Sequence, residues 1–328
     1  MFKTGLIEIR RPPFLIPVLT YFGIYVIATI FSLSPVLSIF GIVDRSMGLI
    51  NVSNLILLYF LVFNILDSKE KQLMCLKLVV LSVGLVSLLG IFQYLGKAPF
   101  HILPAAAGQR VGSTLGNPDY CTPVVLLSLP VALAFVLKKR YLFAIPFVLT
   151  VLMLLFSLPI PGITEKWIFS QPGNSDGAER PEVVQNTVEK VAGLAVKRVE
   201  LRKGLWEAAI EASFHHPIIG TGPNTYRDVF TEYEPLYYVR KMPTFREDKA
   251  HNEFLEVAQS TGFTGLGVYL FMIAAVLWFF IRWVIRNIRS PNMFFVAAIS
   301  LGITGYLSYT FMVFHTIAAY TLFWIFLG

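Results

Sequence analysis

Charge is scarce in this chain of 328 residues. Asp, Glu, Lys and Arg make up 14%, where a soluble domain carries about 25%. With 55% hydrophobic residues and a mean hydropathy of +0.66, the deficit excludes an ordinary soluble enzyme. Cysteine is nearly missing. Cys75 and Cys121 lie in or beside apolar runs, which excludes a disulfide framework and a thiolate metal site. HNEFLE at 251–256 is not HExxH, so the zinc-peptidase pattern fails. No Asp-x-Asp pair for a metal-bound nucleotide sugar occurs in the loops assigned below to the outer side. The GTG at 220–222 lacks the strand–helix context of a nucleotide fingerprint. The first apolar run is long and lacks a small-residue cleavage site, so it reads as a span rather than a leader.

Long apolar runs are abundant. They lie at roughly 14–33, 48–66, 75–95, 121–137, 141–160, 264–285, 292–313 and 315–328. A spanning helix needs about 20 residues. The expected fold is therefore all-α, a polytopic transmembrane bundle of about eight spans. The net charge of +7 is a topology signal, not a nucleic-acid one. Lys3, Arg10, Arg11, Lys69, Lys71, Lys77, Lys138, Lys139, Arg140, Arg282, Arg286 and Arg289 fall at alternate connections. The opposite short loops hold only Arg45, Lys97 and Arg110. The positive-inside rule puts the basic set in the cytoplasm. The chain then divides into N-terminal spans (1–160, with an outer loop at 96–120), an outer loop domain (161–263) and C-terminal spans (264–328).

The long outer loop carries structure of its own. Residues 182–190 and 191–214 read as helices, the second with Leu194, Val199, Leu201, Leu205, Ala208, Ala209 and Phe214 on an apolar side. Lys197, Arg198, Arg202 and Lys203 lie among them, the pattern of a helix able to rest on a bilayer. Pro217 ends that helix, and Gly220 and Gly222 supply turn geometry. Residues 170–182 read as a polar tip. A further helix is expected from about Lys249 through His251 to Ser260, with His251, Leu255 and Ala258 on one face and Glu253 and Glu256 pointing elsewhere.

Two readings fit His251. It is a general base at a membrane–water boundary, or an interfacial histidine at a helix start. Arg110, in GQRVGSTLGNPDY (108–120), either grips an anion with its guanidinium and the exposed N–H groups of a re-entrant turn, or decorates a solvated turn. Arg198 and Arg202 either bind phosphate or snorkel to headgroups. His215 and His216 read as helix-end residues. His101 and His315 carry no partner pattern. A transporter accounts for the spans but not for the long loop, and the spans carry no ionisable residue away from their edges, with His315 the one candidate exception. A scaffold that binds partners through the loop is the remaining class.

These segments together resemble the O-antigen ligase and polymerase-like family of bacterial polytopic membrane glycosyltransferases. His251-Asn252, nine residues, Gly262, two residues and Gly265 fit the family's His-Asn…Gly-x-x-Gly pattern at every fixed position. RKGLWEAAIEASFHHPIIGTGPNTY resembles its Arg-x-x-x-Trp helix and Pro-x-x-Gly-x-Gly turn. RVGSTLGNPDY and SLSPVLSIFGIVDRSMGL (32–49) look like further family segments. The resemblance implies an inverting, metal-independent and cofactor-free transfer of a glycan. The donor is an undecaprenyl-diphosphate-linked glycan. The acceptor is a lipid A core, a growing glycan chain or a protein serine, reached on the periplasmic or extracellular face of the bacterial inner membrane. Nucleic acid has no part. By position, His251 matches the proposed base and Arg202 a diphosphate-binding arginine. Arg110, Arg198 and Asn252 complete the substrate-binding set. Family members have more spans than the eight counted here, so the resemblance also implies a shortened or partial chain.

Overall fold

The structure, a computed structural model, describes residues 9–42, 47–97, 111–157, 201–241 and 247–328. Among these residues the regular structure is helical: α1 (Leu15–Ile30), α2 (Pro35–Phe40), α3 (Leu49–Ile65), α4 (Lys69–Tyr94), α5 (Pro118–Leu137), α6 (Ala144–Ser157), α7 (201–215), α8 (Tyr226–Tyr233), α9 (Leu236–Lys241), α10 (Glu253–Arg286), α11 (Met293–Tyr309) and α12 (Ile317–Leu327). The eight apolar runs each become a helix. Those of α4, α5 and α10 are long and apolar enough to cross a membrane, and those of α1, α3, α6, α11 and α12 are shorter. The protein is a polytopic helical membrane protein.

Burial separates helices that face protein from helices that face lipid. In α5, Val125, Leu127, Val131, Ala132 and Phe135 are buried, and the helix packs on α4, α6, α11 and α12. Small residues permit close approach, as expected where lipid gives helices no hydrophobic reason to associate. A Cβ on Gly302 of α11 would lie 2.5 Å from the Leu127 carbonyl oxygen. In contrast, α10 leans mainly on α1 and exposes Leu270, Phe271, Trp278, Phe279 and Ile281. Leu57, Leu61, Leu78, Leu81 and Leu85 are also exposed. An apolar girdle of this extent would drive a soluble protein to aggregate, and here it is the surface that lipid covers.

The two ends of the bundle differ. One end gathers Phe14, Phe63, Lys69, Asn292 and Phe295 around a hollow of about 320 Å³. Arg10 donates to the Phe63 carbonyl there, and Lys138 lies 4.7 Å from the centre of the Phe294 ring. The other end collects 32–42, Met47, 113–117, 217–225, 249–252 and the α11–α12 connector (310–316). Two expectations change at this end. Helix α10 starts at Glu253 rather than near Lys249, with Asn252 as its N-cap. Phe214 is 66% exposed and its ring meets Phe263, because Leu205, Ala208 and Ala209 turn toward Tyr226, Phe230 and Tyr238 in a second apolar cluster. The expected helix 182–190, the tip at 170–182, and His101, Arg110, Lys197 and Arg198 lie outside the described residues.

Candidate functional site

The local geometry of His251 follows from its neighbours. Asn252 turns its Oδ1 onto the backbone N–H groups of Phe254 (3.0 Å) and Leu255 (3.2 Å), satisfying two donors that a helix start leaves open. Glu256 Oε2 accepts from the Ala250 N–H at 3.0 Å. Its Oε1 accepts from Lys249 Nζ at 2.8 Å, with both side chains buried. Lys249 also donates to Asn224 Oδ1 at 3.2 Å. Residues on both sides of His251 are therefore pinned, and His251 itself takes a left-handed φ of 53°. That conformation is uncommon for a residue with a Cβ and persists where the surroundings enforce it. Glu253 and Glu256, expected to point away, both turn inward and are buried.

The imidazole is partly open, its side chain 21% exposed. Nε2 lies 3.7 Å from Glu247 Oε2. Nδ1 is buried and has no hydrogen-bond partner among the described residues. The ring stands edge-on to Phe314, with centroids 5.3 Å apart. Phe314 belongs to the α11–α12 connector, and so does Met312, whose Sδ accepts from Arg202 Nη1 at 3.7 Å. The structure thus brings His251 and Arg202 to two residues of one short connector. Asn252 joins them in sequence, but its side-chain oxygen is committed to capping α10.

Two hollows adjoin this connector. One, of about 250 Å³, is lined by Thr114, Leu115, Tyr120, Phe314, Thr316 and Ile317 among others. Thr316 Oγ1 is buried without a partner among the described residues. The wall formed by Thr114 and Leu115 comes from the turn at 113–117. Ser113 Oγ donates to Val86 O at 2.5 Å and its N–H to Gln93 Oε1 at 2.8 Å. Val86 precedes the end of α4 at Tyr94 by eight residues, so the turn reaches about 12 Å down that helix at 1.5 Å per residue. The second hollow, about 50 Å³, lies among Tyr25, Asn224, Lys249, Glu253 and His315.

No sequence pattern marks His315, yet it is densely partnered. Nε2 pairs with the Tyr269 hydroxyl at 2.9 Å and Nδ1 with that of Tyr306, and the ring stacks on Tyr320 with centroids 4.0 Å apart. Burial pushes its pKa down to about 3, since an enclosed imidazole resists charging. The backbone N–H of His315 donates to Glu253 Oε2 at 2.7 Å.

The sequence motifs also meet. Gly262 has φ 70° and ψ 179° and breaks α10, a conformation essentially confined to glycine. Into the break fits the turn after Pro217. Phe263 N–H donates to Pro217 O (2.7 Å), Thr221 N–H to Gln259 O (2.9 Å) and Gly222 N–H to Ser260 O (3.0 Å). As expected from sequence, Gly220 and Gly222 both have positive φ, and His216 closes the last turn of α7. Residues 32–42 dock on the same turn through Leu33 N–H to Thr221 O (2.9 Å) and Ser38 Oγ to Pro223 O (2.6 Å).

Residues 122–270 match the family described as O-antigen ligase. The matched stretch holds Arg198, Arg202, His251, Asn252 and the Gly262–Gly265 pair, and begins after Arg110. No curated protein matches the chain. Over those residues, a helical membrane bundle that interlocks His-Asn…Gly-x-x-Gly and Pro-x-x-Gly-x-Gly segments is similar to the O-antigen ligase family.

Proposed function

We propose that this chain transfers a glycan from an undecaprenyl-diphosphate-linked donor to an acceptor hydroxyl, with inversion and without a metal, on the extracytoplasmic face of the bacterial inner membrane. The family match over residues 122–270 supports O-antigen ligase-type glycan transfer in general. The observation that carries the specific reading is the meeting of His251 and Arg202 at Phe314 and Met312 of one connector.

In this reading a neutral His251 takes the proton of the acceptor hydroxyl as its oxygen attacks the anomeric carbon. The bond from that carbon to the diphosphate oxygen breaks, and the polyprenyl diphosphate departs with the electron pair. Such base assistance contributes about 10²–10⁴-fold. The partly open imidazole supplies the lone pair. Glu247, beside Nε2, stabilises the imidazolium as it forms, as a carboxylate behind a histidine base does elsewhere. Arg202, with Arg110 and Arg198 from outside the described residues, meets the growing charge on the leaving group. Fixed cations near a low-dielectric boundary act most strongly on charge that develops in the transition state. The hollow beside Phe314 and Thr316 receives the reacting end of a lipid whose tail stays among the helices. Charge supports the choice of face: the site lies opposite the end that carries Arg10, Lys69 and Lys138.

The test is transfer by the purified protein from a lipid-linked glycan to candidate acceptors. Lipid A core, a glycan chain and a serine peptide separate ligase, polymerase and protein-modifying activities. Formation of a glycosidic product supports the reading. Solute movement across liposomes with no lipid-linked donor, and no transfer, would replace it with transport.

A further inference from the structure

The backbone of the α11–α12 connector is held by one residue of α10. The Glu253 N–H is shared between Thr310 O (2.9 Å) and Val313 O (3.1 Å), and its carboxyl accepts the His315 N–H at 2.7 Å. Glu253 therefore grips the connector on both sides of Phe314, the residue on which the His251 ring rests.

A buried carboxyl is costly unless it serves as a partner. Ion pairing does not account for this one. Lys249 belongs to Glu256. His315 Nε2 lies 3.7 Å from Glu253 Oε1, but its ring is engaged by Tyr269 and Tyr306 and kept uncharged by burial. What the carboxyl does supply is an acceptor for a main-chain N–H that would otherwise be buried and unpaired. Below the connector the tyrosines fix the His315 ring, and Phe254 stacks on Phe311 with centroids 4.2 Å apart. One support thus spans the start of α10, the connector and the His251 turn, with Asn252 as the link between His251 and Glu253.

We infer that Glu253 is a positioning residue for the reaction: through its hydrogen bonds to the connector it sets Phe314, and with it the aim of the His251 imidazole. The inference rests on the reading of His251 as the base. An error of about 1 Å in a reacting group costs on the order of 10²-fold, so the consequence appears in kcat.

The experiment compares Glu253→Gln, Glu253→Ala and Glu253→Asp with wild type, each purified in detergent and checked for an unchanged melting temperature. A carboxamide oxygen accepts the His315 N–H as a carboxyl oxygen does. Glu253→Gln should stay within about threefold of wild type, while Glu253→Ala loses about 10- to 100-fold in kcat with donor KM little changed. Glu253→Asp, one methylene short, should fall between them and serves where the alanine variant does not fold. The same losses should shrink toward nothing when Phe314 is already alanine, since coupled residues are non-additive. A glutamine variant as inactive as the alanine one would overturn the inference by making the carboxyl a chemical participant. So would full additivity with Phe314→Ala, or wild-type kcat in Glu253→Ala. His251→Ala run alongside keeps the two readings apart: activity there defeats the base assignment, whereas its inactivity beside a fully active Glu253→Ala defeats this inference alone.

Discussion

The imidazole of His251 and the ring of Phe314 meet at 65°, with centroids 5.3 Å apart. The contact joins the turn before α10 to the connector after α11, two segments 63 positions apart in the chain. It leaves the histidine with one nitrogen near Glu247 and the other unpaired among the described residues.

Glu247 should matter to the rate more than to binding. Glu247→Gln is expected to lower kcat by about tenfold, less than the 10²–10⁴-fold that the base itself contributes, while leaving donor KM close to wild type. Steady-state kinetics at saturating acceptor checks this, and an unchanged kcat would remove Glu247 from the account.

Gly262 should resist any side chain. Its φ and ψ suit glycine alone, and a Cβ would run into the carbonyls of Pro217 and Ile218. Gly262→Ala should cost at least about 1–3 kcal/mol from the backbone alone, seen as a lower melting temperature in detergent. At Gly267, further along α10, a Cβ would meet no heavy atom within 4 Å. Gly267→Ala should be neutral or stabilising by up to about 1 kcal/mol.

The buried pair of Lys249 and Glu256 should behave as a unit. Removing either partner strands the other charge and costs about 3–5 kcal/mol. Lys249→Met with Glu256→Gln should recover part of that loss, which chemical denaturation of the single and double variants would reveal.

Acid should weaken the connector through His315. Its folded pKa of about 3 lies below the ordinary 6.5, so between those values the unfolded chain binds the extra proton. Stability from this group is complete above about pH 6.5 and falls as pH drops toward 3, by up to about 1.4 kcal/mol per pH unit. Melting temperatures of wild type and His315→Gln measured over that window should converge as the pH falls. A constant difference would contradict the assignment.

The spans are legible in the sequence because the bilayer imposes length and polarity together: eight apolar runs become eight helices. The turn after Pro217 is legible too, since Gly220 and Gly222 advertise positive φ. Periodicity misplaces the start of α10 because Asn252 is a better cap than any residue near Lys249, and a capping side chain outweighs continued periodicity. It also puts Phe214 inside, because it marks apolar residues without saying whether lipid, water or protein will face them. The partners of His251 are hidden for another reason. Phe314 reaches it across 63 positions of chain, Glu253 touches only the connector that carries Phe314, and His315 acquires its tyrosines from α10, α11 and α12, which no local spacing records.

The most direct test of the central claim is the transfer rate of purified His251→Ala with a lipid-linked donor and a competent acceptor. The account predicts a fall of about 10²–10⁴-fold in a variant that still folds and still binds donor. Transfer at the wild-type rate would contradict it.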